Sequence, residues 1–266
     1  MPTDTVAGVD WAGGAWLAVV FDGDGEPEPR LERDLETLWN DGVDRMLVDV
    51  PIGLPDEAET LAKREAVDSA ARSASERPSS VFPVPSRGAC QAAMEGADYE
   101  AVSERNRTDL DKGLSWQSYH IAPAVGEVDA FLREDEAARE SVLEAHPEVC
   151  FRGLNGGPLE RSKTTASGVG ERLDALDGHL ADPDAALGRI CRGPADAASD
   201  GIGTEAAANA AGEADPTVDD AVDALGLAVV ARRPVDDLRF LPDGSEYRDR
   251  EGIPMRMAYW SAEPLA

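Results

Sequence analysis

Six carboxylates share a setting in which a charge is expensive: Asp10, Asp49, Glu144, Asp219, Asp220 and Asp223 each lie at or beside an apolar run. Asp10 closes "TVAGVD", Asp49 follows "RMLV", Glu144 lies late in "SVLEA", and the three remaining aspartates open the apolar segment "VDDAVDALGLAVVA". Carboxylates gathered into one crevice repel one another unless they are protonated or bridged by a hard cation such as Mg²⁺ or Mn²⁺. Two such ions about 4 Å apart activate a water and stabilise the leaving oxygen in phosphodiester hydrolysis. Each acid also has a plainer explanation. The helix dipole favours an acid in the first turn by ~0.3–1 kcal/mol, and a strand-end aspartate bonds to nearby backbone amides.

Regular elements must bring these residues together. Residues 5–10 and 15–21 read as buried strands around a Gly13-Gly14 turn, and "PRLERDL" as a third strand of an antiparallel meander. A short helix over "LETLWNDG" leads to a strand at Met46–Val48 that stops at Asp49, which implies a parallel crossover and an α/β fold. In such sheets the strand ends along one edge form the ligand crevice. Residues 56–76 have helical periodicity, and Arg64, Asp68 and Arg72 recur every four positions as a solvated salt-bridge ladder.

Further along, residues 77–125 are rich in Pro, Ser and Gly around a short helix near 89–105, and form a candidate substrate-facing insertion. "EVDAFLRED" reads as a helix and "ESVLEAHPEVCF" as a strand. Residues 193–217 form an acidic low-complexity insertion. Thr217 then caps a helix whose Val218, Val222, Leu225 and Val229 make a core stripe. On that helix Asp219 and Asp223 share a face, with Gly226 next along it allowing close approach, while Asp220 points about 100° away from Asp219 towards solvent. "EGIPMRMAYW" reads as a late strand or an extended tail.

Composition narrows the setting. Against 53 acidic residues the 266-residue chain has 25 basic ones, for a formal charge of −28, and its only lysines are Lys63, Lys112 and Lys163. Such a surface is self-repelling in dilute buffer, but at ~1 M salt the Debye length is about 3 Å. We therefore expect a salt-adapted cytoplasmic protein of a halophile. With 42% apolar residues in periodic runs, a wholly disordered chain is excluded. Cys90, Cys150 and Cys191 lack C-x-x-C spacing and do not cluster with His120, His146 or His179, which argues against a disulfide framework or a structural zinc. No stretch reaches the ~18 apolar residues of a membrane span, so no membrane partner is expected.

The motifs "GVDWAGG", "DVPIGLP", "SVFPVPSR", "GLSWQ", "EAHPEVCF" and "DDAVDALGLA" occur in the order seen in the family called domain of unknown function 429, which the chain resembles over nearly its whole length. The resemblance implies a single RNase H-like domain over 1–266, with a central five-stranded mixed sheet whose first three strands are antiparallel, flanked by helices and carrying helical and loop insertions. It also implies a nuclease related to Holliday-junction resolvases. In that reading Asp10, Asp49 and Asp223, with Asp219 or Asp220, are metal ligands, and Glu144 is a further acid on its strand. Lys112 in "DKGLS" and Lys163 in "RSKTT" survive in a lysine-poor chain within stretches resembling family motifs, which marks them as phosphate or carboxylate contacts. Arg72, Arg87, Ser115 and Gln117 are candidates for a substrate-facing rim, and Trp116 for packing or base stacking.

The expected function is metal-dependent hydrolysis of nucleic acid with Mg²⁺ or Mn²⁺. Two alternatives stand beside it. One is a non-catalytic binding or scaffold protein of the same fold. The other is an ATP-dependent phosphotransferase of the sugar-kinase or actin-like type, against which "DWAGGA" lacks the expected Thr or Ser. The oligomeric state is left open.

Overall fold

A computed structural model describes residues 4–197 and 216–265, so residues 198–215 of the acidic insertion expected over 193–217 lie outside the described residues. The principal elements are β1 (Thr5–Trp11), β2 (Trp16–Asp22), β3 (Glu28–Glu32), α1 (Leu35–Asn40), β4 (Arg45–Val48), α2 (Ala58–Ser75), α3 (Arg87–Met94), α4 (Tyr99–Leu110), α5 (Trp116–Glu134), β5 (Val142–Ala145), α6 (Pro147–Asn155), α7 (Ala166–Leu176), α8 (Pro183–Ala197), α9 (Val218–Ala231), β6 (Arg239–Leu241) and β7 (Met257–Tyr259). The strands form a mixed sheet in the order β3-β2-β1-β4-β5-β7-β6, flanked by helices. Among the described residues seven strands replace the expected five. Of the additional pair, β7 lies in "EGIPMRMAYW", expected as a late strand or an extended tail, whereas β6 has three residues, too few for a period-two pattern to be read. No helix among the described residues is long and apolar enough to cross a membrane.

Two compact units divide the chain: Met1–Asp49, Ala145–Leu238 and Tyr259–Leu265 form the first, and Val50–Glu144 with Arg239–Ala258 form the second. In the first unit, β1 pairs antiparallel with β2, and β2 with β3, as the meander predicts. The turn uses Gly13 and Gly14 at φ 70° and 151°, where a side chain would be strained. β4 pairs parallel to β1, with Val9 opposite Val48. Helix α9 covers β1, β2 and β4. Thr217 caps it in a reciprocal box with Asp220. Residues Ala221–Ala231 are buried all round and Val218 is exposed, so the expected one-sided stripe is wrong; the helix lies wholly inside the unit.

Strand β5 ends at Ala145 rather than continuing through "HPEVCF". Pro147 occupies the first turn of α6, and His146 Nδ1 accepts from the Glu148 amide at 3.2 Å, so the chain turns helical. In the second unit, residues 77–125 hold more helix than expected. They contain α3, α4 and the start of α5, with Ser86, Asp98 and Ser115 as N-caps. The predicted solvated ladder on α2 is also corrected, because Arg64 and Asp68 are 1% and 3% exposed. They face the interior because Glu144 lies there to receive the guanidinium.

Candidate functional site

The carboxylate cluster forms in the first unit and begins with a glycine. A Cβ at Gly8 would lie 2.1 Å from the Ala228 nitrogen and 2.2 Å from the Ala224 oxygen, so the backbone of α9 rests directly on β1. Asp10 is two residues on, and alternate strand residues share a face, so its carboxylate lies on the side that α9 covers. Asp223 immediately precedes Ala224 on that helix. Asp49 follows the residue opposite Val9, and its amide donates to the Val9 carbonyl at 2.9 Å. Strand register and one close helix contact thus bring together three acids far apart in sequence.

The neighbours of Asp223 define the local charge balance. Lys163 Nζ donates to Asp223 Oδ2 at 2.5 Å and lies 3.8 Å from Asp219 Oδ2. The other oxygen, Asp223 Oδ1, is buried without a hydrogen-bond partner. Burial and Asp49 push the Asp223 carboxyl up to about 6, against the opposing pull of Lys163. Burial raises Asp10 well above the usual carboxylate range, and the charges of Asp49, Asp223 and Asp220 raise it further. Asp49 is likewise raised by burial, although His146 and Lys163 oppose the rise. Lys163 is held charged against its burial by Asp223, Asp49 and Asp10.

Helices α6 and α7 support this cluster. The Phe151 ring on α6 fills the space over Gly226, where a Cβ would meet it at 2.5 Å, so the predicted close approach at that glycine is occupied. Arg172 on α7, 0% exposed, pairs with Glu148 and donates to the Gly168 carbonyl at 3.1 Å. His146, Glu148 and Arg172 were missed in the sequence. Their signal was the His-Pro step that starts α6, here read as the interior of a strand.

The donor set is all hard oxygen, desolvated and mutually repelling, with one buried oxygen unpartnered, and this chemistry fits a divalent cation of the Mg²⁺ or Mn²⁺ type. Among the described residues, however, no group of three or more His, Cys, Asp or Glu side chains is arranged as a metal cage. The positive charge beside Asp223 is the Lys163 ammonium. Asp219 is half-buried beside Lys163, and Asp220 is occupied by its cap, where Oδ2 accepts from the Thr217 amide at 2.7 Å.

The other predicted residues belong to the second unit, most of them with partners of their own. Glu144 accepts from Arg64 Nη1 at 2.6 Å and Nη2 at 2.7 Å and from the Ile52 amide at 2.9 Å, while Arg64 Nε donates to Asp68 at 2.8 Å. Both Glu144 oxygens are therefore committed to an internal ion pair. Arg87 is no rim residue: its guanidinium is surrounded by Asp56, Asp129 at 3.0 Å and Asp249 at 2.6 Å. Arg72 donates to the Val81 carbonyl at 3.1 Å. Lys112 pairs with Glu65 at the surface, Ser115 caps α5 and Gln117 is exposed. Trp116, 56% exposed, stacks on Tyr119.

No curated protein and no solved structure matches the chain. The family described as protein of unknown function DUF429 matches over residues 8–247, a span that runs from the glycine under α9 through every acid of the cluster, and the chain belongs to that family.

Proposed function

We propose that the chain is a divalent-cation-dependent phosphodiesterase of RNase H-like type acting on nucleic acid, with Asp10, Asp49 and Asp223 as the ligands of Mg²⁺ or Mn²⁺ and Asp219 and Asp220 beside them. The observation that carries this reading is a trio of mutually repelling carboxylates, Asp10 and Asp223 buried and Asp49 half-buried, with Asp223 Oδ1 unpartnered. A fold gains nothing from such a group unless a cation relieves it, and perturbed clusters of this kind concentrate at functional sites. When bound, a hard cation would activate water and offset charge on the phosphate. Asp10 and Asp49 would supply fixed negative charge from rigid strands. Lys163 would release Asp223 and place its ammonium near the anionic substrate. The antiparallel β1–β3 meander and the parallel β4 support the fold assignment.

The test is cleavage of linear and branched DNA and RNA with Mn²⁺ in high KCl. Wild type should cleave, and Asp10→Asn and Asp223→Asn should not. Equal activity in all three overturns the site. The Lys163–Asp223 pair favours a second reading, a non-catalytic binding protein in which the lysine is the permanent counter-ion. That protein would show no Mn²⁺-linked stabilisation that Asp10→Asn removes.

A further inference from the structure

Positive charge is scarce in a chain with 25 basic and 53 acidic residues, yet Arg45, Arg232 and Arg233 line a single cavity of about 210 Å³ in the first unit. The cavity lies at the Val6 end of β1, and four residues of strand, about 13 Å, separate Val6 from Asp10. It is therefore distinct from the carboxylate cluster.

The three guanidiniums are positioned largely by uncharged groups. Arg232 lies over the Phe21 ring at 4.5 Å and Arg233 over the Trp260 ring at 4.1 Å. Arg233 Nη2 also bonds to His179 Nδ1, and His179 Nε2 lies 3.1 Å from the Leu154 carbonyl, which holds the ring in place. Arg45, opposite Val6 at the head of β4, is 8% exposed. Its Nη1 donates to the Arg233 carbonyl at 3.1 Å, and its Nε is buried without a partner.

Among the described residues, the carboxylates lining the cavity, Asp4 and Asp24, stand at its wet edge. Asp4 lies 4.0 Å from Arg45 and Asp24 3.7 Å from Arg232, with side chains 53% and 74% exposed. Solvated pairs of this length contribute little and yield readily to a better anion. Burial pulls the Arg45 and Arg233 guanidiniums down from their usual range, and at Arg233 the charge of Arg232 adds to the effect. Guanidinium forks match the oxygens of a phosphate, and three of them suit a dianion better than a monoanion. Val6 and Val229 supply an apolar wall, and the volume exceeds that of one phosphate group.

We propose that the Arg45–Arg232–Arg233 cavity binds a small organic phosphate monoester. The site does not depend on the phosphodiesterase reading, because it shares no residue with the acid cluster. The test is calorimetric titration of the intact chain at a fixed 0.3 M KCl with glycerol 3-phosphate, AMP, inorganic phosphate and acetate. At least one of the two monoesters should bind with a submillimolar Kd, at least fivefold more tightly than inorganic phosphate and well above acetate. Arg233→Gln and Arg232→Gln should each weaken binding tenfold or more, while Asp10→Asn leaves it unchanged. No monoester binding up to 10 mM, affinity for acetate or inorganic phosphate equal to that for the monoester, or wild-type affinity in both arginine variants overturns the proposal. Arg45→Gln risks misfolding because that side chain is buried; the half-buried Arg232 and Arg233 carry the test without it.

Discussion

Lys163 donates to Asp223 across 2.5 Å, while the second oxygen of the same carboxylate is buried with no partner. The pair is half of an electrostatic arrangement. One lysine faces Asp10, Asp49 and Asp223, so negative charge remains in excess and burial prevents water from dispersing it. The cation-free protein should consequently improve when the cluster is partly neutralised.

Asp10→Asn provides that neutralisation with little change of shape. Because burial and three neighbouring acids disfavour the ionised Asp10, the expected result in EDTA at pH 8 is a higher melting temperature than wild type. Each 1 kcal/mol gained corresponds to roughly 2–4 °C in a chain near this size. With Mn²⁺ added, the order should reverse, because only wild type gains from the ion. A lower melting temperature for the variant in EDTA would show that Asp10 is structurally satisfied.

The same excess fixes the pH dependence. The folded-state value of Asp223, about 6, lies above its ordinary 3.8, so the fold binds this proton more tightly than the unfolded chain does. The contribution is fully present below about pH 4 and is lost as pH rises through 6, an effect of about 3 kcal/mol for this group. Asp10 and Asp49 shift in the same direction. Urea unfolding without metal should follow that slope, and Asp223→Asn should flatten it. Mn²⁺-linked stabilisation should be larger at pH 8 than at pH 5, because protons compete for the ligands.

Lys163→Met removes the internal counter-ion. The partly exposed ammonium limits the loss of metal-free stability to about 1–3 kcal/mol, below the cost of breaking a fully buried pair. Since the lysine competes for Asp223, calorimetry should find tighter Mn²⁺ binding in the variant, together with slower cleavage. Weaker Mn²⁺ binding would make the lysine part of the ligand support instead.

Asp10, Asp49 and Asp223 were legible because each interrupts an apolar period, and a charge inside such a run stands out whatever the fold. Glu144 carried the same signal for a different reason. An acid late in a strand reads alike whether it meets a metal ion or Arg64, 80 residues away, and only the fold shows the guanidinium. Arg87 was misread in a similar way, because its three acids come from positions 56, 129 and 249 and no local spacing relates them. The β1–β4 core was readable from continuous apolar runs bounded by turns. The β5 boundary was lost because "EAHPEV" continues the strand pattern until Pro147 begins a helix.

Two glycines separate close packing from backbone strain in the element that supports the site. At Gly13 a Cβ meets nothing within 4 Å, so Gly13→Ala should cost only the strain of φ 70°, about 1 kcal/mol, with the cluster intact. At Gly8 the same added carbon would strike the backbone of Ala224 and Ala228, and backbone cannot move aside as a side chain can. Gly8→Ala should therefore cost more than the usual ~1–3 kcal/mol of an overpacked core and lift α9 from β1. The chain, if recovered folded, should lose Mn²⁺-linked stabilisation because Asp10 and Asp223 no longer share a face. Circular dichroism melts with and without Mn²⁺ test both variants. A Gly8→Ala protein that melts like wild type and still responds to Mn²⁺ would show that the helix does not rest on the strand at this point.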